Sequence, residues 1–512
     1  MAEPIRSIVI AGGGTAGWMA AASLQQHFEN TPVSVTLIES SKIDTVGVGE
    51  ATIPTIRRFY RTLGLSDEQV LRATHGTCKL GIQFNDWHSP GSSFIHPFGL
   101  FGQDVRNIGF HHYWLKMREQ GDATPIGDYS LGVSLAQNHK FNIPAPNPPS
   151  SLSVFDWALH LDASRFAALM HEYATGKGCK RIDAVITGVN QRPDDGFIES
   201  LQLDSGEIIA GDLFIDCSGF RGLLIDKTLD VAYEDWSQWL FCDSACVVQS
   251  RNVGEPAPYT RVDAREAGWQ WRIPLRSRTG NGYVYSSRFI DDDAAKATLT
   301  DNVEGELLTE PRKLGFTPGR REKCWDKNCI ALGLASGFLE PLESTSIALI
   351  ETNIERIKML FPDRGFNQAV IDEFNEISAL EYERVRDFII LHYKASARDD
   401  TPFWRECNAM EIPETLQKKI ELFKARGHFV RYRWEMFHPA SWLAIYTGFE
   451  ILPESYDPGV DSFDTRYVSK SLAAMKASLQ QFVSESPTHQ GFLEDVYSAN
   501  ETQTQEKKHE AN

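Results

Sequence analysis

The chain has 512 residues and a mass of 57.6 kDa, with 42% hydrophobic and 23% charged residues. That is the balance of a globular protein with room for several modules of roughly 150 residues, and it excludes a disordered chain or a small disulfide-stapled scaffold. Lys plus Arg number 51 against 69 Asp plus Glu, a formal net charge of −18, so the surface repels nucleic acid and anionic lipid and neither is expected as a partner.

The eight cysteines are dispersed, none in a CxxC, and no histidine cluster stands at zinc-ligand spacing. Reduced, mostly buried thiols and no metal site are expected. No apolar run approaches the ~18 residues of a membrane helix, and no signal peptide opens the chain. A soluble, cytoplasmic protein is the expectation.

In chain order, Ile5 to Ile10 reads as a buried strand running into Gly12, Gly13, Gly14 and Gly17, and Trp18 to Leu24 as a helix. Val33 to Ile38 is a second strand, ending at Glu39, which completes a βαβ unit. Residues 90–150 are rich in Gly, Pro and aromatics and read as long loops with a few helical turns, such as Phe110 to Arg118. Arg165 to Ala174 is helical, Val185 to Val189 and Ile198 to Leu203 are strands of a small sheet, and Leu213 to Ile215 is a buried strand leading into Asp216-Cys217-Ser218-Gly219. Ala245 to Val248, Trp269 to Ile273 and Tyr283 to Phe289 form a second group of strands. Ile330 to Leu334 is one more strand, and Ile347 to Leu360 has helical spacing. Residues 365–440 read as mainly helical, and the polar end of the chain, around Gln503 to Asn512, as a frayed tail.

The Gly12-x-Gly14-x-x-Gly17 run follows a strand and opens a helix, and Glu39 stands twenty-two residues after Gly17. Glycines there let backbone N–H groups approach a pyrophosphate at the helix N-terminus. Glu39 can accept hydrogen bonds from ribose hydroxyls and disfavours a 2′-phosphate. Two further strand–glycine segments, Leu213 to Gly219 and Ile330 to Gly337, favour FAD over NAD, because FAD-binding folds return distant strand ends to one ligand. No second glycine fingerprint provides a fold for NAD(P)H.

With Gly47-Val48-Gly49-Glu50-Ala51-Thr52-Ile53-Pro54, Trp269-Gln270-Trp271-Arg272-Ile273-Pro274, Lys79 ahead of Gly81-Ile82 and Phe84, and Leu342-Glu343-Ser344-Thr345, the chain resembles the flavin-dependent halogenases of the tryptophan halogenase type. The resemblance spans residues 5–360 and thins beyond. It implies an α/β (α+β) fold: a FAD-binding, Rossmann-like module of the flavin monooxygenase type, a second sheet, and a mainly helical C-terminal substrate module. The expected division is residues 1–89 with 155–225 and 320–362 for the FAD module, 90–154 with 226–319 for the substrate-side sheet and loops, 363–495 for the helical module and 496–512 for the tail.

The resemblance further implies FAD, used as FADH2 from a separate NAD(P)H-dependent flavin reductase, with halide and O2 as co-substrates. Hypohalous acid formed from these would pass through an internal tunnel to an electron-rich, indole-type arene. Lys79 would handle the oxidant, as a haloamine or as a hydrogen-bond donor. Glu343 would stabilise the cationic ring and take its proton. Gly12, Gly14, Thr15, Ala16, Gly17, Glu39, Gly49, Ala51, Leu334 and Ile347 would bind the cofactor. Thr345 and Ser346, at a helix start, would bind halide through backbone amides; the tryptophan enzymes typically have glycine where this chain has Ser346. His96, Pro97 and Phe98 would sandwich the ring. Trp269 and Trp271, alternating on a strand and so on one face, would fill the space beside the flavin and keep organic substrate from it. A homodimer is also implied.

The segment expected to clamp the amino-acid part of tryptophan reads His438-Pro439-Ala440-Ser441-Trp442 with Tyr446, without a paired tyrosine and a downstream glutamate. Free tryptophan is therefore a weaker expectation than indole, a phenol, a peptide or a larger indolic compound. Two other functions stay open on the sequence: an aromatic hydroxylase on the same fold, and a nucleotide-binding regulatory protein without catalysis.

Overall fold

The computed structural model describes residues 3–42 and 49–498. Gly47 and Val48 of the motif above, and the tail from residue 499, lie outside them; helix continues to Ser498. The chain forms two compact units: one of residues 1–75, 161–243 and 315–384, the other of residues 76–160, 244–314 and 385–512.

The first unit is built on a six-stranded sheet in the order Trp325–Asp326, Cys329–Ala331, Leu213–Asp216, Ser7–Ala11, Ser34–Glu39, Lys180–Asp183. All pairings are parallel except the hairpin of the first two strands. Strands covered on both faces read as continuous apolar runs, and Ile8, Val9, Ile10 and Ala11 are all buried. Val9 and Ala11 share a core with Leu201, Leu203, Phe214, Leu224 and Ile225. This core lies under the antiparallel sheet of Ile186–Gln191, Ile198–Leu203 and Ile208–Ala210. The Thr15–His27 helix packs against Ala163–Gly176 and Ser346–Met359, and its Ala20, Ala21 and Ala22 have no exposed surface.

The second unit has a seven-stranded sheet in the order Arg312–Gly315, Ser244–Ser250, Thr279–Tyr285, Gly268–Pro274, Thr260–Arg265, Gly81–Asn85, Ser93–Pro97. Thr260–Arg265 pairs parallel with Gly81–Asn85, joining distant parts of the sequence. Thr77–Lys79 pairs antiparallel with the strand opening at Ala158. Phe110–Glu119, Leu131–Gln137, Pro402–Ala409, Glu414–Arg426, Pro439–Gly448 and Thr465–Glu485 supply helices. Among the described residues, no helix is long and apolar enough to cross a membrane. All eight cysteines are buried and none is in a disulfide.

Three local readings change. His96 and Pro97 sit not in a loop but on Ser93–Pro97, an edge strand where Pro97, lacking an N–H, is tolerated. The strand expected at Tyr283 to Phe289 is Thr279–Tyr285. Gly280-Asn281-Gly282 looks like a turn, yet a Cβ on Gly282 would stand 2.1 Å from the Trp271 ring, so glycine is there to admit the indole. Helix is interrupted between Arg426 and Pro439, because Gly427 closes the Glu414–Arg426 helix at φ +64°.

Glu351 on the Ser346–Met359 helix is 5% exposed, with Oε1 lacking a hydrogen-bond partner. Burial pushes its carboxyl up to about 8, against a smaller pull from the Thr55 hydroxyl and Arg58. The native state therefore keeps a proton that the unfolded chain loses near 4.5, and stability falls as pH rises from there to about 8. Glu351→Gln is neutral throughout. Its stability relative to wild type should rise by about 1.4 kcal/mol per pH unit across that window and then level off, as read by urea denaturation from pH 5 to 9.

Candidate functional site

Register alone gathers the glycine-bearing ends of the first unit. Ala11 lies opposite both Ile38 and Asp216, and Asp216 lies opposite Ala331. In parallel strands this puts Gly12, Glu39, Cys217 and Leu332 at one sheet edge, the carboxyl ends where open α/β sheets bind ligands. Gly12 has φ +114°, and a Cβ there would come within 2.3 Å of the Cys217 carbonyl oxygen. A Cβ on Gly17 would meet the Gly12 carbonyl oxygen at 1.9 Å, whereas one on Gly14 would meet nothing within 4 Å. The turn is thus closed on its protein side and open at Gly14.

Gly14 also caps the Thr15–His27 helix without a side-chain hydrogen bond, which leaves the first-turn amides of Thr15, Ala16 and Gly17 for a ligand. Gly333 (φ +62°) brings the Leu334 turn against Ala16, where a Cβ would stand 2.9 Å from the Ala16 Cβ. Glu39 accepts from Trp18 Nε1 at 3.2 Å and from Arg181 Nε at 2.6 Å. Those two contacts orient its carboxylate at the strand end, and the cradle fits a dinucleotide such as FAD. Gly49 and Ala51 lie on a three-residue strand leading to the Thr55–Thr62 helix. Burial pushes Glu50 between them up to about 7.

Glu343 and Thr345 are buried, at 1% and 0% exposure. Ser344 is left-handed at φ +59°, and Thr345, the residue before the Ser346–Met359 helix, adopts an αR conformation with no side-chain cap. An ordinary Ser/Thr N-cap is extended and accepts from the N2 or N3 amide. Thr345 does neither, and its Oγ1 is buried without a partner. The amides at this helix start therefore have no side-chain cap, the condition an anion site needs. Ile347 follows in the first turn, 4% exposed.

In the second unit, Lys79 ends the Thr77–Lys79 strand with 0% exposure, its Nζ 5.2 Å from the Phe98 ring centroid. Backbone bonds set that contact: Phe98 N–H donates to the Leu80 carbonyl at 2.8 Å, and Leu80 N–H to the Pro258 carbonyl at 2.7 Å. His96 packs at 5.9 Å on Phe388 and 6.3 Å on Phe437, and Phe388 stacks on Phe437 at 3.9 Å. Phe388 then meets Trp442 edge-on at 4.9 Å. Beyond Trp442 lies Lys419, 3% exposed, 4.3 Å from the indole and paired with Glu435 at 2.5 Å. Trp269 and Trp271 share one face of Gly268–Pro274, 5.9 Å apart and 1% and 8% exposed.

The sequence reading missed Thr77, His160 and His489. Thr77 Oγ1 lies 2.9 Å from His160 Nδ1, and Cys78 N–H donates to His489 Nε2 at 3.1 Å. The only signal available was that Thr77 stands two residues before Lys79. Among the described residues, no group of three or more His, Cys, Asp or Glu could hold a metal ion.

The first unit carries a glycine cradle at a parallel sheet edge, and the second carries a buried lysine and a tryptophan pair on its own sheet; these are features of a flavin-dependent enzyme. The family model for tryptophan halogenase matches residues 7–465, and the chain belongs to that family of flavin-dependent halogenases. Tryptophan 6-halogenase ThaL of Streptomyces albogriseolus is 37% identical over 448 residues, 83% of each chain. Tryptophan 7-halogenase RebH of Lentzea aerocolonigenes is 31% identical over 96% of this chain and 99% of its own. The solved structure of BrvH, a flavin-dependent halogenase from Brevundimonas sp. BAL3, superposes with a TM-score of 0.94 at 61% identity, covering 96% of this chain and 99% of that one. These relatives support halogenation and not the hydroxylase alternative.

The fit at the glycine turn gives a direct test. Gly12→Ala places a side chain in a left-handed, closed turn, and it should destabilise the protein by about 1–3 kcal/mol and weaken FAD binding. Denaturant melts and flavin fluorescence titration would measure the two effects. Unchanged FAD affinity would show that the cradle is not the cofactor site.

Proposed function

We propose that the chain uses reduced FAD, delivered by a separate NAD(P)H-dependent flavin reductase, with O2 and chloride or bromide, to halogenate an electron-rich, indole-type arene. The observation that carries this reading is the complete burial of Lys79 beneath Phe98. A lysine in mixed sequence is ordinarily a solvated charge. Removed from water, such an amine is placed to meet an electrophilic halogen rather than bulk solvent.

When bound, the flavin supplies the two-electron chemistry that makes hypohalous acid from halide and O2. The residues do the rest. Gly12, Gly14, Thr15, Ala16 and Gly17 hold the pyrophosphate, and Glu39 the ribose; Gly49, Ala51, Leu334 and Ile347 line the remaining cofactor surface. Backbone amides of Thr345 and Ser346 take the halide. As a neutral amine, Lys79 displaces water from hypohalous acid, forming an N–halogen bond; as an ammonium, it donates a hydrogen bond that polarises the O–halogen bond. Either way the ring carbon gains halogen and loses a proton, and Glu343 balances the positive ring and accepts that proton. His96, Pro97 and Phe98 form the ring-binding side. Trp269 and Trp271 keep organic substrate from the flavin.

The Lys419–Glu435 pair favours an arene without an amino-acid group. Its two charges already lie 2.5 Å apart in the interior, and the Lys419 ammonium also donates to the Val430 carbonyl at 2.5 Å. A zwitterion in this region would have to open a buried ion pair, which costs several kcal/mol.

With reductase, NADH and bromide, Lys79→Ala should abolish arene bromination while FAD binding stays intact. Glu343→Gln should lower kcat by about a hundredfold or more. Indole and phenols should outpace free tryptophan. Mass spectra read through the bromine isotope pattern decide each point; full activity in Lys79→Ala, or oxygenated product independent of halide, would remove the reading.

A further inference from the structure

The strand that carries Lys79 is held by two imidazoles whose protonation can be deduced from their partners. Thr77 Oγ1 donates its one proton to the Pro274 carbonyl, 2.7 Å away. Toward His160 Nδ1, at 2.9 Å, Oγ1 can therefore only accept, so Nδ1 carries hydrogen. Burial pushes the His160 imidazole well below its ordinary value, and the Lys79 charge adds to this. The ring is neutral, its Nε2 is bare, and it accepts from the Thr260 hydroxyl at 3.0 Å.

His489 follows the same logic on the next residue. Its Nδ1–H donates to the Pro256 carbonyl at 2.8 Å, and its bare Nε2 accepts the Cys78 N–H at 3.1 Å. Burial pushes it down to about 4. Both rings have the same tautomer, fixed in each case by a backbone carbonyl that can only accept.

Side chains two apart on a strand share a face, so Thr77 and Lys79 point the same way. His160 lies directly opposite Thr77 in the antiparallel pair. The result is an unbranched chain, Pro274 carbonyl to Thr77 to His160 to Thr260, fully buried at Thr77 and His160. It ties the lysine strand to the last residue of the tryptophan-pair strand and to the first residue of the parallel strand Thr260–Arg265.

We propose that Thr77 and His160 are positioning residues for Lys79, a role that rests on Lys79 being the halogen-handling residue proposed above. A three-residue strand makes few ladder bonds of its own. The chain supplies the missing restraint, fixing the Lys79 backbone against the Phe98 ring while adding no second positive charge beside the ammonium. Tight restraint matters because displacement of a reacting group by about 1 Å can lower rates by 10²-fold.

The test uses the full chain with flavin reductase, NADH, bromide, indole, and monochlorodimedone as a trap for oxidant that escapes into solution. Thr77→Val keeps the shape and removes both hydrogen bonds; Thr77→Ser and Lys79→Ala are run beside it. Thr77→Val should lower kcat for bromoindole about tenfold to a hundredfold with KM for indole within about twofold, while bromination of the trap rises. Thr77→Ser should restore the wild-type ratio of the two products. If Thr77→Val does not accumulate as folded, FAD-binding protein, Thr77→Ala with His160→Asn, which retains a donor toward position 77, gives the same readout: a low bromoindole-to-trap ratio in the first and a higher one in the second. A wild-type ratio in Thr77→Val, or parallel loss of both products, overturns the proposal. Lys79→Ala separates the two claims. If it still makes bromoindole, the lysine reading fails; if it is inactive while Thr77→Val keeps the wild-type ratio, only the positioning role fails.

Discussion

Burying a lysine side chain is the constraint on which the second unit turns. Taking a charged group out of water costs several kcal/mol after relaxation, so Lys79 persists at 0% exposure only where the surrounding fold holds it there. The fold does so with backbone rather than with a long helix. Leu80 N–H reaches Pro258, Phe98 N–H reaches Leu80, and Asp156 N–H reaches the Phe98 carbonyl at 2.6 Å. These bonds place an aromatic face over the nitrogen, where the ring quadrupole offsets part of the desolvation. The parallel pairing of Thr260–Arg265 with Gly81–Asn85 then joins this corner to the sheet bearing Trp269 and Trp271.

The first unit solves a different problem, the convergence of several strand ends at one sheet edge. Its parallel register delivers several strand ends to one edge, and glycine removes the Cβ wherever that edge must close on itself. The contrast within one motif is informative. Gly12 and Gly17 are required by neighbouring carbonyls, while Gly14 is required by nothing in the chain. A glycine with open space beyond its missing Cβ is what a ligand-facing position looks like before the ligand is considered.

The parts legible in the sequence were those whose chemistry is local. The glycine run, Glu39 at the next strand end and the alternation of Trp269 with Trp271 each follow from spacing within one element, and the structure keeps those elements. Lys79 was legible only through its neighbours' resemblance to a family, because Thr77-Cys78-Lys79-Leu80 has no period that signals burial. Its supports were illegible: His160 is 83 residues from Thr77, and His489 is 411 residues from Cys78. Gly282 makes a related point. Alone it signals a turn, and only the cross-strand pairing of Trp271 with Gly282 shows that its smallness serves an indole on the adjacent strand.

The start of the Ser346–Met359 helix shows how a structural loss can carry functional meaning. Thr345 could cap this helix if it were extended, a gain of about 1 kcal/mol. It is instead helical, preceded by a left-handed Ser344, and its hydroxyl is buried without a partner. The arrangement gives up the cap, strains one residue and leaves a buried hydroxyl unsatisfied, three unfavourable terms within two residues. Such a combination persists where the amides it frees are used by something other than the chain. That is the physical ground on which we propose that halide binds there. Such a site accommodates Ser346 where the tryptophan enzymes typically have glycine, because backbone N–H donors at a helix start do not depend on the side chain of the residue that carries them.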